Sequence, residues 1–253
     1  MVQSITMFSN ISNRFNIPLI AATVFLLNIS PLLKAQDSST TRLHVIKDLQ
    51  KYYELIRDDS TKRMVELKSI IPGIQYDLRY AADKNFMHRY MYPKNTDVTF
   101  LRLPAVIELQ KIQAELGQKG MGLKIFDAYR PYSVTVKFWE LVKDERYVAN
   151  PAKGSGHNRG IAVDLTIINL STGLELDMGT GFDNFTDSAH QNFTLLPEKV
   201  LQNRQLLRSI MEKHGFKALE TEWWHYSLVE GSKYEVLDLS FEKLKNHHTK
   251  LEH

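Results

Sequence analysis

Apolar residues recur along this chain with two different periods, and the alternation between them predicts its elements. From Pro104 the segment PAVIELQKIQAELGQKG carries Val106, Leu109, Ile112 and Leu116 at helical spacing. Pro104 suits the first turn, and Gly117 or Gly120 can end the helix. LKIFDAYR, Leu123 to Arg130, reads as a strand running into a turn at Pro131, followed by a helix with Val134, Phe138, Leu141 and Val142. PEKVLQNRQLLRSIMEKHG is a further helix, with Leu206, Leu207, Ile210 and Met211 on its apolar stripe and Gly215 as its stop. IAVDLTII is a nearly continuous apolar run and predicts a buried strand, while FKALE and WHYSLV predict closing strands. MVELKSIIPGIQYDLRYA alternates in part around Pro72 and Gly73, as an edge strand would. Residues 37–62 are polar and charged, with a weak helical period on Leu43, Ile46, Leu49, Tyr53 and Ile56, the pattern of a linker and an accessory helix.

This order of elements predicts an α+β fold: a single domain over residues 63–242 with a central, mainly antiparallel sheet flanked by helices. Residues 243–253 form a tail ending in KLEH, which resembles the scar of a tag linker. Residues 1–36 contain no acidic residue, carry Arg14, and then run apolar from Ile17 to Ile29 before turning polar, with Ala35 as a small residue near a cleavage point. That is the order of a secretory signal, and the run is short for a membrane-spanning helix of about 20 residues. The expectation is a periplasmic or secreted protein with no stable membrane association once the signal is removed. An uncleaved N-terminal anchor is the alternative.

Charge and cysteine content narrow the chemistry. The formal net charge is +3, and loss of Arg14 and Lys34 with the leader lowers it to +1. With no clustered basic stripe, nothing attracts a nucleic acid. The chain has no cysteine, which excludes disulfides, a thiol nucleophile and thiolate metal ligands. Any metal must sit on nitrogen and oxygen.

The one Asp inside IAVDLTII, Asp164, needs a counter-ion, a hydrogen-bond network or a metal to be buried. His157 precedes it by seven residues, and Gly160 lets the backbone turn so that a loop His and a strand Asp converge. Further on, ETEWWHYSL supplies Glu222 and His225. Two His and one Asp would give a zinc ion three ligands with a fourth position open, and Glu222 could act beside it as general base.

SGHNRGIAVD and EWWH resemble the signatures S-x-H-x-x-G-x-A-x-D and E-x-x-H of the zinc D-Ala-D-Ala peptidase and hedgehog-like superfamily. Within it, the chain resembles the D-alanyl-D-alanine dipeptidases of the vancomycin-resistance (VanX) type over about residues 63–242, also through DLRYA, FDAYRP, DMGTGFD and RSIMEKHGF. The resemblance implies one zinc per chain in a cleft on the sheet, held by His157, Asp164 and His225, with Glu222 as catalytic base. It places the oxyanion-steadying arginine at Arg130, where Ala128 replaces the usual Gly of G-Y-R-P. It places groups near the substrate amine at Asp183 and Tyr80, although Tyr80-Ala81-Ala82 departs from Y-A-T, and a substrate contact at Ser155. The bland alternatives are an Arg130–Asp127 ion pair, a turn-capping Asp183 and a packed Tyr80.

The implied activity is hydrolysis of the small dipeptide D-Ala-D-Ala in peptidoglycan turnover. A D,D-carboxypeptidase or an L-alanyl-D-glutamate endopeptidase on longer wall peptides is the nearest alternative. A zinc-stabilised binding module without turnover is the rival from another class, and it has no need of Glu222 or Arg130.

Overall fold

The computed structural model describes residues 43–229 and 231–251, so the signal expected at residues 1–36 lies outside the described residues. In chain order the elements are β1 (Val45–Ile46), α1 (Leu49–Asp58), β2 (Met64–Glu66), α2 (Leu67–Ile70), β3 (Gln75–Tyr76), β4 (Phe100–Arg102), α3 (Leu103–Gly117) and β5 (Met121–Asp127). There follow α4 (Tyr132–Val142), α5 (Gly156–Arg159), β6 (Ala162–Asn169), α6 (Glu198–Lys213), β7 (Phe216–Leu219), β8 (Glu222–Leu228), β9 (Val236–Leu237) and α7 (Phe241–Leu251). The fold is α+β, as the element pattern predicts.

The main sheet has five strands in the order β3-β5-β6-β8-β7, antiparallel at every pairing except β3 with β5. Its central strand β6 is buried from Ala162 to Ile168, which explains why its sequence is apolar on both faces. On one side α3 and α6 pack against the sheet. Val106, Leu109, Ile112 and Leu116 of α3 and Leu207, Ile210 and Met211 of α6 lie in one core with Leu123, Ile125, Leu165 and Ile167. A second core is rich in aromatic side chains, among them Tyr52, Tyr80, Tyr92, Phe100, Tyr129 and Phe138.

Two small sheets tie the outer segments to this body: β1 pairs parallel with β9, and β2 pairs antiparallel with β4. The Tyr52 hydroxyl of α1 accepts from the Met64 backbone N–H at 2.7 Å, a buried link between α1 and β2. Among the described residues, no helix is long and apolar enough to cross a membrane.

Two local expectations change. Residues 64–81 do not form one edge strand. The Glu66 carboxylate accepts from the Ser69 N–H at 2.8 Å and caps the turn α2, which drops Leu67 fully into the core and divides β2 from β3. In α4 the inward face is set by Thr135 and Phe138, while Leu141 is exposed. Val134, Phe138 and Val142 do pack against the aromatic core, and Thr135 Oγ1 accepts from Asn158 Nδ2 at 2.8 Å, so a polar contact to α5 joins the apolar stripe on the inward face.

Candidate active site and metal centre

Strand register builds the centre of the site. Asp127 on β5 lies opposite Asp164 on β6, and Asp164 lies opposite His225 on β8, so three polar side chains form a row across the middle of the sheet. The fourth residue, His157, arrives from above on α5. Ser155 caps that short helix through a reciprocal pair: its Oγ accepts from the Asn158 N–H, and Asn158 Oδ1 accepts from the Ser155 N–H. Gly160 ends it at φ +71°, and a Cβ there would come within 2.6 Å of the Met64 side chain. The glycine of the sequence pattern is therefore needed twice, for conformation and for space.

Hydrogen bonds then fix α5 against the turn after β5. The Arg130 N–H donates to the His157 carbonyl at 3.2 Å, and Asn158 Nδ2 donates to the Arg130 carbonyl at 2.8 Å. His157 Nδ1 lies 2.7 Å from the Ala128 carbonyl oxygen. A carbonyl can only accept, so Nδ1 carries the proton and Nε2 presents its lone pair. That Nε2 is 3.5 Å from Asp164 Oδ2, and the other oxygen, Oδ1, is 2.9 Å from His225 Nδ1.

The ligating atoms that His157, Asp164 and His225 can offer all lie within 4.8 Å of one another. His157 and Asp164 are buried, and the His225 side chain is 17% exposed. Burial, aided by the Arg130 charge, holds the His157 imidazolium well below its ordinary range, and burial lowers His225 too. Both rings are thus kept neutral, as ligands must be. Burial and the Asp127 charge push the Asp164 carboxyl well up, so its ionised form calls for a stabilising cation. Two imidazole nitrogens and one carboxylate oxygen, with no thiolate, suit zinc with an open coordination position.

Around this centre a cavity of about 630 Å3 is lined by all eight residues singled out in the sequence: Tyr80, Arg130, Ser155, His157, Asp164, Asp183, Glu222 and His225. Glu222 begins β8, and its Oε2 is 3.9 Å from His225 Nδ1. Burial first, then the Asp164 charge, raises its carboxyl to about 7 against the opposing pull of His225. Arg130 Nη2 pairs with Asp127 Oδ2 at 2.7 Å, and its guanidinium lies over the rings of Phe138 and Tyr80 at 4.9 and 5.2 Å. The ion pair with Asp127 is real and does not remove Arg130 from the cavity. Ser155 likewise serves as a helix cap while lining the same space.

Asp183 adopts φ +60°, in the left-handed region that few non-glycine residues occupy and that recurs at functional sites. Its two carboxylate oxygens accept from the Tyr80 hydroxyl at 3.1 and 3.2 Å. Among the described residues no basic side chain lies within ion-pair distance of it. Burial, then the Asp164 charge, pushes its carboxyl well up. This is a half-buried acceptor suited to an incoming cationic group.

Sequence reasoning missed several parts. Tyr92 donates to Asp127 Oδ1 at 2.5 Å and so completes the support of Arg130, yet it lies in a loop with no motif around it. Phe86, Tyr147 and Phe185 line the cavity from three separate segments and touch edge to face, with ring centroids 5.1 Å apart for Phe86–Phe185 and 4.9 Å for Tyr147–Phe185. No spacing in the sequence could have united them.

Comparison with known proteins bears on the family of the chain. The chain is 34% identical over 177 residues to the D-alanyl-D-alanine dipeptidase of Escherichia coli (strain K12), covering 70% of this chain and 90% of that one. It is 30% identical over 182 residues to the protein of that name from Enterococcus faecalis (strain ATCC 700802 / V583), covering 65% and 90%. A Streptomyces coelicolor (strain ATCC BAA-471 / A3(2) / M145) protein of the same name is 33% identical over 181 residues, covering 64% and 89%. With residues 60–244 matching the M15 peptidase family described as D-Ala-D-Ala dipeptidase, the chain belongs to that family of metallopeptidases.

Proposed function

We propose that this protein hydrolyses the dipeptide D-Ala-D-Ala with one zinc ion held by His157, Asp164 and His225. The observation that carries the reading is the convergence of those three side chains with Glu222, Arg130 and Asp183 on one cavity. Zinc at such a site supplies a Lewis acid that polarises a carbonyl oxygen and acidifies water to a pKa of about 7.

The remaining work falls to the protein. Glu222 takes the proton from the attacking water and delivers it to the departing amide nitrogen. Arg130, held rigid by Asp127, faces the negative charge that develops on the carbonyl oxygen. Asp183 and the Tyr80 hydroxyl receive the free ammonium of the substrate, and Ser155 borders the same space. A half-buried acid with no basic side chain of the described residues within ion-pair distance favours a substrate that carries its own positive charge, which a dipeptide does at its amino end.

The N-terminal pattern of residues 1–36 supports export as part of the same proposal. An exported dipeptidase would meet wall fragments rather than cytoplasmic wall precursors, so it fits recycling. Fractionation of native cells with N-terminal sequencing is expected to recover a shortened chain outside the cytoplasm. A full-length chain in the cytoplasm would remove the basis for export.

The activity is tested by offering D-Ala-D-Ala, L-Ala-L-Ala and a muramyl pentapeptide to the purified protein before and after chelation. The expected result is cleavage of D-Ala-D-Ala, its loss on chelation and its return with zinc. Cleavage of the pentapeptide alone would move the assignment to a D,D-carboxypeptidase or endopeptidase. Cleavage of none, with zinc bound, would leave a binding module.

A further inference from the structure

The two histidines of the metal centre are oriented by different kinds of partner. His157 Nδ1 faces the Ala128 carbonyl oxygen, which only accepts and so admits one tautomer. His225 presents the opposite nitrogen to the site: its Nδ1 is 2.9 Å from Asp164 Oδ1, and its Nε2 is 3.2 Å from Ser227 Oγ. A hydroxyl both donates and accepts, so this ring is not locked by its partner alone. When Nδ1 gives its lone pair to a cation, the ring proton must reside on Nε2, and the only contact there among the described residues is Ser227.

Ser227 is well placed to hold that proton. It lies on β8 in register with Ala162 of β6 and Lys217 of β7, so its backbone is held from both sides. Its hydroxyl also abuts α5: a Cβ built on Gly156 would come within 3.1 Å of Ser227 Oγ and 2.7 Å of Ala162 Cβ. Gly156 therefore lets the helix bearing His157 close over the residue that orients His225. The two ligand-bearing segments meet at this hydroxyl.

We propose that Ser227 is a positioning residue for the metal centre, accepting a hydrogen bond from His225 Nε2–H and thereby fixing the tautomer that offers Nδ1 to zinc. The inference rests on the zinc reading given above and adds a residue to it. Partners of this kind alter metal affinity by about 10- to 100-fold when removed.

The test uses the full chain labelled with ¹⁵N at histidine. In the zinc-loaded parent, two-bond ¹H–¹⁵N correlations are expected to place the proton of His225 on Nε2 and that of His157 on Nδ1. Competition with a chelator is expected to show zinc affinity lowered about 10- to 100-fold in Ser227→Ala and restored to within a few-fold in Ser227→Thr. A proton found on His225 Nδ1 in the loaded parent overturns the proposal, and so does Ser227→Ala holding zinc as tightly as the parent. The tautomer measurement needs no variant, so a misfolded Ser227→Ala leaves it standing. A parent that takes up no zinc removes the metal centre and this proposal together, whereas a parent that binds zinc but cleaves no dipeptide challenges only the activity.

Discussion

Glu222→Gln is expected to retain zinc and lose hydrolysis, with kcat lower by about 10²- to 10⁴-fold, the range supplied by a positioned general base. Glutamine keeps the length of the side chain and the packing of Trp223 and Trp224 beside it, so the fold should be unaffected. Nor is Glu222 one of the three side chains that converge within 4.8 Å, so metal content should match the parent. The acid dependence of the rate gives an independent check. Burial raises the Glu222 carboxyl to about 7 in the protein without metal. A dication at the neighbouring ligands favours the ionised form and brings it down from there. A base works only when ionised, so the parent should lose activity as pH falls through a value below 7, and the residual rate of Glu222→Gln should lack that limb. Metal analysis and a pH–rate profile measure both. A glutamine variant that turns over like the parent would exclude Glu222 as the base.

The legibility of this site in the sequence has a simple physical origin. The metal candidates sit in two short stretches, and each stretch ends on a strand of the same sheet. The adjacency of β6 and β8 turns a separation of 61 residues in sequence into a direct cross-strand pair, Asp164 with His225. A motif records the residue types such a pair needs, so five of the eight candidates stand within SGHNRGIAVD and EWWH. The supporting contacts leave no such trace. Tyr92 reaches Asp127 from 35 residues away through a loop, and Ser227 looks like any small residue in a strand until the His225 ring is placed beside it.

The fold divides along the same line. The helices α3 and α6 and the strand β6 were legible because each buries a long apolar stripe, and burial at about 25 cal/mol per Å2 dominates their placement. The stretch 64–81 was not, because there a single polar contact decides, the Glu66 cap on Ser69; in α4 the apolar stripe placed Val134, Phe138 and Val142 against the core, and only the inward Thr135, bonded to Asn158, left no apolar trace. Such contacts contribute only about 1 kcal/mol each, yet between near-equal alternatives that suffices. The helix α7, which continues to Leu251 through the stretch read as a tail, escaped for another reason: its first turn buries Phe241 and Leu244 against the aromatic core, a contact made with residues far away in sequence.

Arg130→Met is expected to damage the protein twice, and the two effects can be separated. Arg130 Nε and Nη2 both donate to Asp127 Oδ2, and Asp127 is fully buried, with Tyr92 on its other oxygen. Removing the cation leaves a buried carboxylate with neutral donors only, and breaking a buried pair in this way costs about 3–5 kcal/mol. The same change removes the charge facing the developing oxyanion, for which a loss of about 10²- to 10³-fold in kcat is expected. Pairing Arg130→Met with Asp127→Asn distinguishes them. Asparagine can still accept from Tyr92 and carries no charge to strand, so the double variant should recover much of the stability lost in Arg130→Met. It has no cation in the cavity, so its kcat should stay low. Urea unfolding of the chelated proteins measures the first quantity without the contribution of bound zinc, and steady-state kinetics on the zinc-loaded proteins measures the second. If activity instead returns together with stability, Arg130 acts only by holding Asp127 and the turn that carries Ala128, and the oxyanion must be met by another group.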